Sequence, residues 1–274
     1  ARASARRVVA RGLPEASEAE ASTRAAVLAP VSPPAAGDWA DSLCRAVHGA
    51  MRGTVHPVFR RFLDVEPAGS ALPAGLGPVA LSRPQVPPVP RPVSLVIAAS
   101  VPTLLGWYGF YKFSVEEELF QLEVRQPGGR ATGFGGYGTL LPFVYGVLLS
   151  LACRAGGHPA AADAMFEGAG AWILATQINL YVRVNELCES VFPGAEPPVH
   201  PWWAVLPPPL DVVVGLRQVH FLARAAAELR GEPAGKDAVA EDYFPFIGSE
   251  RFTLEAFARE PKRWFWFTKG WEDW

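Results

Sequence analysis

The chain has 274 residues, of which 50% are hydrophobic and only 19% are charged, whereas soluble domains carry roughly 25% charged residues. Its formal net charge of −2 lacks the basic excess that a general nucleic-acid surface needs, so no nucleic-acid partner is expected. This balance favours a mostly α, integral membrane protein with two to three transmembrane helices, interfacial amphipathic helices and long Pro-rich extended arms.

The first 91 residues contain no predicted membrane span. Residues 1–37 are rich in alanine, arginine and serine, which predicts a flexible arm that resembles the end of an organellar transit peptide, although its acidic EASEAEAS segment is typical of a mature chain. Residues 38–62 have apolar residues at helical spacing and four arginines. This pattern predicts an amphipathic helix on a membrane or partner, or an ordinary surface helix. Residues 63–91 are predicted to be a Pro-rich extended linker.

Residues 92–187 are predicted to form the membrane region. Residues 92–111 and 131–153 carry no charged side chain, and about 20 such residues cross a bilayer as a helix. They predict spans at about 92–112 and 131–153. A third apolar stretch, 164–182, has a shorter uncharged centre with polar side chains that suit a protein neighbour, so the sequence leaves open whether it crosses.

An acidic motif, SVEEEL, follows the first predicted span. Ser114 and Glu117 have the spacing of a capping box, which predicts that the membrane helix ends at Phe113 and that a short acidic helix begins there. Three adjacent carboxylates, Glu116 to Glu118, fan around a helix and cannot all face one metal ion. We predict a solvated acidic face that docks on a basic partner. The alternative is that one of them binds a pigment magnesium or a structural cation.

Residues 188–274 are predicted to be an extrinsic or interfacial region. Leu210 to Arg230 has the apolar stripe of an amphipathic helix. The end of the chain is rich in tryptophan beside lysine and arginine, which is typical of a membrane interface or of a docking groove on a partner. The candidate docking residues are Trp264, Trp266, Trp271 and Trp274.

The sequence contains no motif that predicts catalysis or a metal site. Its five histidines are scattered and match neither a zinc motif nor a nucleophile elbow. Cys44, Cys153 and Cys188 lie far apart, which is typical of reduced, mostly buried thiols. We therefore expect a protein that is not an enzyme and has no catalytic or metal-ligating residues.

Two segments, WYGFYKFSVEEEL and GGYGTLLPFVYG, resemble stretches of accessory membrane subunits of algal photosystem I supercomplexes. The resemblance implies a non-catalytic scaffold in the plastid thylakoid membrane that binds photosystem core and antenna proteins and stabilises their assembly. It also implies bound chlorophyll, carotenoid and lipids, with candidate pigment ligands at Glu117, Gln177, Asn179 and His220. The paired Glu/Arg motif of light-harvesting proteins is missing, so an antenna protein is not expected.

Two other classes of protein fit the same pattern. One is a supernumerary subunit of a respiratory complex or ATP synthase in the mitochondrial inner membrane, which would have the same topology and tail without pigment. The other is a small membrane enzyme or transporter that acts alone. A scaffold should lose its order when it is separated from its partners, whereas a stand-alone enzyme or transporter should keep its activity.

Overall fold

The computed structural model describes residues 39–65, 84–207 and 210–231. Within these ranges 76% of the residues are helical and no β-strand occurs, so the expectation of a mostly α fold is confirmed. The predicted N-terminal arm, most of the Pro-rich linker and the four docking tryptophans lie outside the described residues. The helices are α1 (Trp39–Thr54), α2 (Pro57–Leu63), α3 (Val93–Ser100), α4 (Gly106–Arg125), α5 (Gly135–Ala155), α6 (Pro159–Val191), a 3₁₀ helix (Pro201–Val205) and α7 (Leu210–Arg230).

The largest apolar core lies where α3, α4, α6 and α7 meet. Each helix contributes one stripe of buried side chains to it, as the helical spacing of their apolar residues requires. Burial of one such valine or leucine contributes about 1.5–3 kcal/mol. The core is formed by Val93, Val96, Tyr111, Val115, Leu119, Leu180, Val184, Cys188, Val219, Phe221, Leu222 and Ala225.

Helices α5 and α6 form an antiparallel hairpin. The chain reverses at Gly156 and Gly157, and the left-handed φ of 77° at Gly157 is a conformation that glycine adopts without a Cβ clash. The two helices approach closely, because the Ser150 hydroxyl donates to the Ala162 carbonyl oxygen at 2.7 Å. Gly146 contributes to this approach, since a Cβ there would lie 2.8 Å from the Cβ of Ala169.

Helix α5 coincides with the predicted span 131–153. It is the one helix among the described residues that is long and apolar enough to cross a membrane. The third apolar stretch, 164–182, which the sequence leaves open as a span, lies inside α6, a helix of 33 residues that begins earlier and ends later. The predicted amphipathic helix from Leu210 to Arg230 is confirmed as α7.

The prediction of a single span over 92–112 is wrong. This stretch is divided into α3 and the start of α4, and the chain reverses between them at residues 101–105. Eight residues of α3 extend only about 12 Å, far less than the roughly 30 Å of a hydrocarbon core. The reversal brings Arg91 and Glu118, from the two sides of the apolar stretch, into an ion pair of 2.7 Å. The absence of charge does not distinguish one long helix from a helical hairpin.

The predicted helix end at Phe113 is also wrong. Ser114 lies in the interior of α4, where it is fully buried, and the helix continues without a break to Arg125. The three glutamates after Ser114 are buried against neighbouring segments, so tertiary contacts hold these residues in the helix although the local sequence has the spacing of a cap.

The predicted helix over 38–62 is divided in two. Helix α1 ends at Thr54 and α2 begins at Pro57, with Val55 and His56 between them. Proline has no N–H and disfavours helical geometry at the preceding residue, so the first helix cannot run through this position. The His56 Nδ1 atom then caps α2 by accepting from the Val58 N–H at 3.3 Å.

Candidate functional site

The three glutamates of the acidic motif are buried inside the bundle. Glu116, Glu117 and Glu118 are 1%, 2% and 1% exposed. The prediction of a solvated acidic face is therefore wrong, because these carboxylates are covered by other segments of the same chain. The expectation that they fan around the helix is confirmed, since each one contacts a different element.

Glu118 fixes the extended segment 84–91 to α4. Its two oxygens accept from the Arg91 guanidinium at 2.7 and 2.9 Å. The backbone N–H groups of Gln85 and Val89 also donate to this carboxylate, at 3.2 and 3.3 Å. Four donors thus compensate one buried charge, which is the arrangement that a buried carboxylate requires.

Glu117 joins α4 to α1 and to the first turn of α5. Its two oxygens lie 2.9 and 3.0 Å from His48 Nε2. The backbone N–H of Gly136 and the side chain of Gln121 each donate to it at 3.0 Å. An anion beside the first N–H groups of α5 is also favoured by the helix dipole. The His48 ring stacks on Phe120 with ring centroids 4.2 Å apart.

Glu116 joins α4 to α6 through Arg183. Arg183 donates from Nη1 to Glu116 and from Nε to Glu123, at 2.7 Å in both cases. One turn before Glu116, Lys112 donates to the Gln177 oxygen at 2.7 Å and lies 3.5 Å from Glu116. One arginine therefore bridges two carboxylates of α4 and fixes the position of α6 beside them.

The three glutamates, Arg91, His48 and Arg183 form what we call the buried ion-pair network. Its carboxylates diverge, so they do not create one common binding point. Among the residues that the structure describes, no group of three or more histidine, cysteine, aspartate or glutamate side chains could hold a metal ion. What the network does physically is fix the extended segment, α1, α5 and α6 around a single helix.

Sequence reasoning missed the cationic half of this network. In the sequence Arg91 marks only the end of an apolar stretch, His48 is one of five scattered histidines, and Arg183 belongs to no recognisable motif. Each partner lies at least 27 positions from its glutamate. The one available signal was the single charge at the edge of an apolar run, which does not identify the partner.

The four candidate pigment ligands do not converge. Glu117 is held by His48, and Gln177 accepts from Lys112. Asn179 donates to the Thr132 carbonyl oxygen at 3.0 Å, and His220 is buried edge-on against Phe221 with ring centroids 5.2 Å apart. Each has its own neighbours, so the structure does not combine them into one pigment site.

Two open cavities lie at the other end of the bundle from the α5–α6 turn. One, of about 320 Å³, lies between α4 and α6 beside Glu123, Arg130 and Arg183. The second, of about 570 Å³, is lined by Phe192 and Arg224 and their neighbours. None of the four candidate pigment ligands lines either cavity.

Large apolar side chains are exposed on the α5–α6 hairpin, from the middle of α5 to the tip and back along α6; we call these residues the apolar face. A contiguous patch of this kind is rare on monomeric soluble proteins and marks a contact with a membrane or a partner. The exposed residues are Val144, Leu148, Leu149, Leu151, Met165, Phe166 and Leu174. The tip of the hairpin is charged, because Arg154 forms an ion pair with Asp163 there.

Comparisons of the chain with protein-family models, with curated proteins and with solved structures find no match.

Proposed function

We propose that the chain is a non-catalytic accessory or scaffold subunit of a multi-subunit photosynthetic membrane complex, photosystem I with its antenna, in the plastid thylakoid membrane. The observation that supports a membrane subunit is the apolar face of the α5–α6 hairpin, which nothing else in the described part of the chain covers. The photosystem assignment rests on the sequence resemblance alone.

Dimensions support a membrane location for the hairpin. Helix α5 has 21 residues and is about 31 Å long, close to the roughly 30 Å of a hydrocarbon core. The first half of α6 runs back beside it and supplies the second span. Glu167 is exposed within that half, and because a carboxylate facing lipid is costly, it faces another subunit of the complex.

The scaffold role is supported by the buried ion-pair network. It fixes residues 84–91, the last part of the Pro-rich linker, on the helical bundle. In this proposal the rest of the linker and the four tryptophans Trp264, Trp266, Trp271 and Trp274 contact core and antenna proteins. Residues 66–83 and the four tryptophans lie outside the described residues.

Pigment binding is proposed with Asn179 as the preferred ligand. Asn179 uses its amide N–H for Thr132, which leaves its side-chain oxygen for a chlorophyll magnesium. Glu117 would have to leave His48 first, and Gln177 would have to leave Lys112. His220 lies inside the helical core.

Extraction of the native membrane in mild detergent tests this proposal. The extract is separated on a native gel, and an absorption spectrum is taken of the band that contains the chain. A large green band with photosystem I absorbance supports the proposal. A large colourless band with respiratory subunits moves the chain to the mitochondrial inner membrane, and a small band that contains the chain alone overturns the scaffold role.

A further inference from the structure

The turn between α3 and α4 exposes apolar side chains. Val101, Leu104 and Leu105 are 67%, 91% and 65% exposed, and no charged residue occurs anywhere from 92 to 111. An exposed turn in water is ordinarily built from polar residues and glycine. This turn has the opposite composition.

Most backbone N–H groups of the turn bond within the turn or to α3. In a hydrocarbon environment an N–H without a partner is costly, so internally paired segments are favoured there. The Thr103 hydroxyl makes two bonds across the turn, because it donates to the Ala99 carbonyl oxygen and accepts from the Trp107 N–H. Four backbone N–H groups bond to carbonyl oxygens: Val101 to Ile97, Leu104 to Val101, Leu105 to Ser100, and Gly106 to Thr103.

Two leucines hold left-handed backbone conformations in this turn. The φ angles of Leu104 and Leu105 are 49° and 68°, and this conformation is strained for a residue with a Cβ. Glycine would remove the strain. Since both side chains are exposed, the described chain gains little from keeping leucine here. The described chain therefore shows little that compensates for the strain at these two leucines.

The turn lies at the same end of the bundle as the apolar face. Helix α4 runs antiparallel to the start of α5, because Thr132 bonds to Glu123 at 2.9 Å and Gly136 bonds to Glu117 at 3.0 Å. The N-terminal end of α4 therefore points in the same direction as the C-terminal end of α5. The α3–α4 turn is then level with the middle of α5, where Val144 begins the apolar face.

We propose that residues 92–111 form a re-entrant helical hairpin that enters and leaves one leaflet of a lipid bilayer. In this leaflet Val101, Leu104 and Leu105 contact acyl chains. The Arg91–Glu118 ion pair keeps both ends of the hairpin on one side of the membrane. The inference rests on the membrane location in the proposed function and adds a second insertion element beside α5 and α6.

Fluorescence quenching in lipid vesicles tests the hairpin. Cys153 is replaced by serine in the full chain, and single cysteines are introduced separately as Val101→Cys, Leu148→Cys and Glu189→Cys. Because Cys44 and Cys188 are buried, an environment-sensitive fluorophore attaches to the introduced cysteine. The chain is reconstituted in vesicles of phosphatidylcholine and phosphatidylglycerol that carry a quencher on their acyl chains.

The three positions separate the inference from the proposed function. Loss of emission at positions 101 and 148, with emission kept at 189, supports the re-entrant hairpin. Loss at 148 without loss at 101 overturns the inference and leaves the membrane subunit standing. Emission kept at both 101 and 148 overturns both.

A glycine pair tests the two leucines. Leu104→Gly with Leu105→Gly relieves the left-handed strain, so the circular dichroism and thermal midpoint of the chain should be kept. Quenching at position 101 should weaken, because the side chains that contact lipid are gone. Undiminished quenching would contradict the role assigned to Leu104 and Leu105.

Discussion

At the scale of single residues, the buried ion pairs are the positions where a substitution should lower the free energy of unfolding most. Arg91 and Glu118 have side chains that are each 1% exposed, so Glu118→Gln leaves an arginine charge without its counterion inside the bundle. We expect a loss of about 3–5 kcal/mol in the free energy of unfolding, measured by denaturant titration in mild detergent.

The exposed ion pair at the tip of the hairpin is the matched control. Arg154 and Asp163 have side chains that are 63% and 59% exposed, and Asp163→Asn should cost about 1 kcal/mol or less. Equal losses for Glu118→Gln and Asp163→Asn would contradict the role assigned to the buried network.

Acid should weaken the contact between α1 and the end of α2. Burial alone would raise the pKa of Asp64, but hydrogen bonds from Arg52 and Tyr137 outweigh it and lower the pKa below its ordinary 3.8. A lowered carboxyl pKa gives stability that is present above 3.8 and is lost as the pH falls through the folded-state value. The thermal midpoint of Asp64→Asn should therefore fall less than that of the wild type below pH 3.8. An unchanged acid dependence would contradict this.

The three thiols should differ in reactivity. Burial raises the pKa of Cys188 to about 12, so this thiol should not form a thiolate at neutral pH. Cys44 is buried, so reagents should reach it slowly. Cys153 is half-buried beside the charged tip of the hairpin. A maleimide should modify Cys153 first in mild detergent and all three thiols in sodium dodecyl sulfate. Equal rates for the three native thiols would show that the bundle is not packed as described.

At the scale of helices, the close approach of α4 and α5 requires glycine at position 136, whereas Gly168 of α6 has open space around it. A Cβ on Gly136 would lie 2.4 Å from the Phe113 carbonyl oxygen, whereas a Cβ on Gly168 would meet nothing within 4 Å. Gly136→Ala should lower the free energy of unfolding by about 1–3 kcal/mol, because the backbone must shift. Gly168→Ala should raise it by about 0.5–1 kcal/mol through helix propensity. The same denaturant titration measures both, and a neutral Gly136→Ala would contradict the packing of α4 on α5.

The helices that sequence reasoning located correctly are those with an unbroken local pattern. For the helix Leu210 to Arg230, the local sequence shows both the apolar stripe and the positions where the helix begins and ends. For α5, the local sequence shows an uncharged run that is long enough for the observed helix. The stretch 92–112 has the same lack of charge, yet its course depends on Pro102 and on two left-handed leucines. Only the tertiary pair between Arg91 and Glu118 reveals that reversal.

The candidate site was less predictable than the fold for a related reason. The sequence shows that Glu116, Glu117 and Glu118 diverge around a helix, which is a local property. Their burial depends on segments far along the chain. Three adjacent carboxylates are ordinarily solvated, because burying a charge without partners is costly. The composition of this motif therefore favours an exposed position, whereas the three glutamates are buried.

At the scale of the whole molecule, the bundle has two unlike ends. One end carries the apolar face and the α3–α4 turn. At the other end, Arg230 fixes the extended segment to α7 by donating to the carbonyl oxygens of Pro87 and Pro88 at 2.7 Å. In the proposed function this polarity orients the chain, with the first end in the bilayer and the second toward aqueous partners.

Alkaline carbonate extraction of native membranes is the most direct test of a membrane subunit. The wild-type chain should stay in the membrane pellet. Leu148→Glu with Leu149→Glu should move it to the supernatant, because each charge at the centre of a span costs about 2.5–3.5 kcal/mol. Glu189→Gln, a substitution at an exposed position outside the apolar face, should leave the chain in the pellet. Release of the wild-type chain into the supernatant would contradict the account.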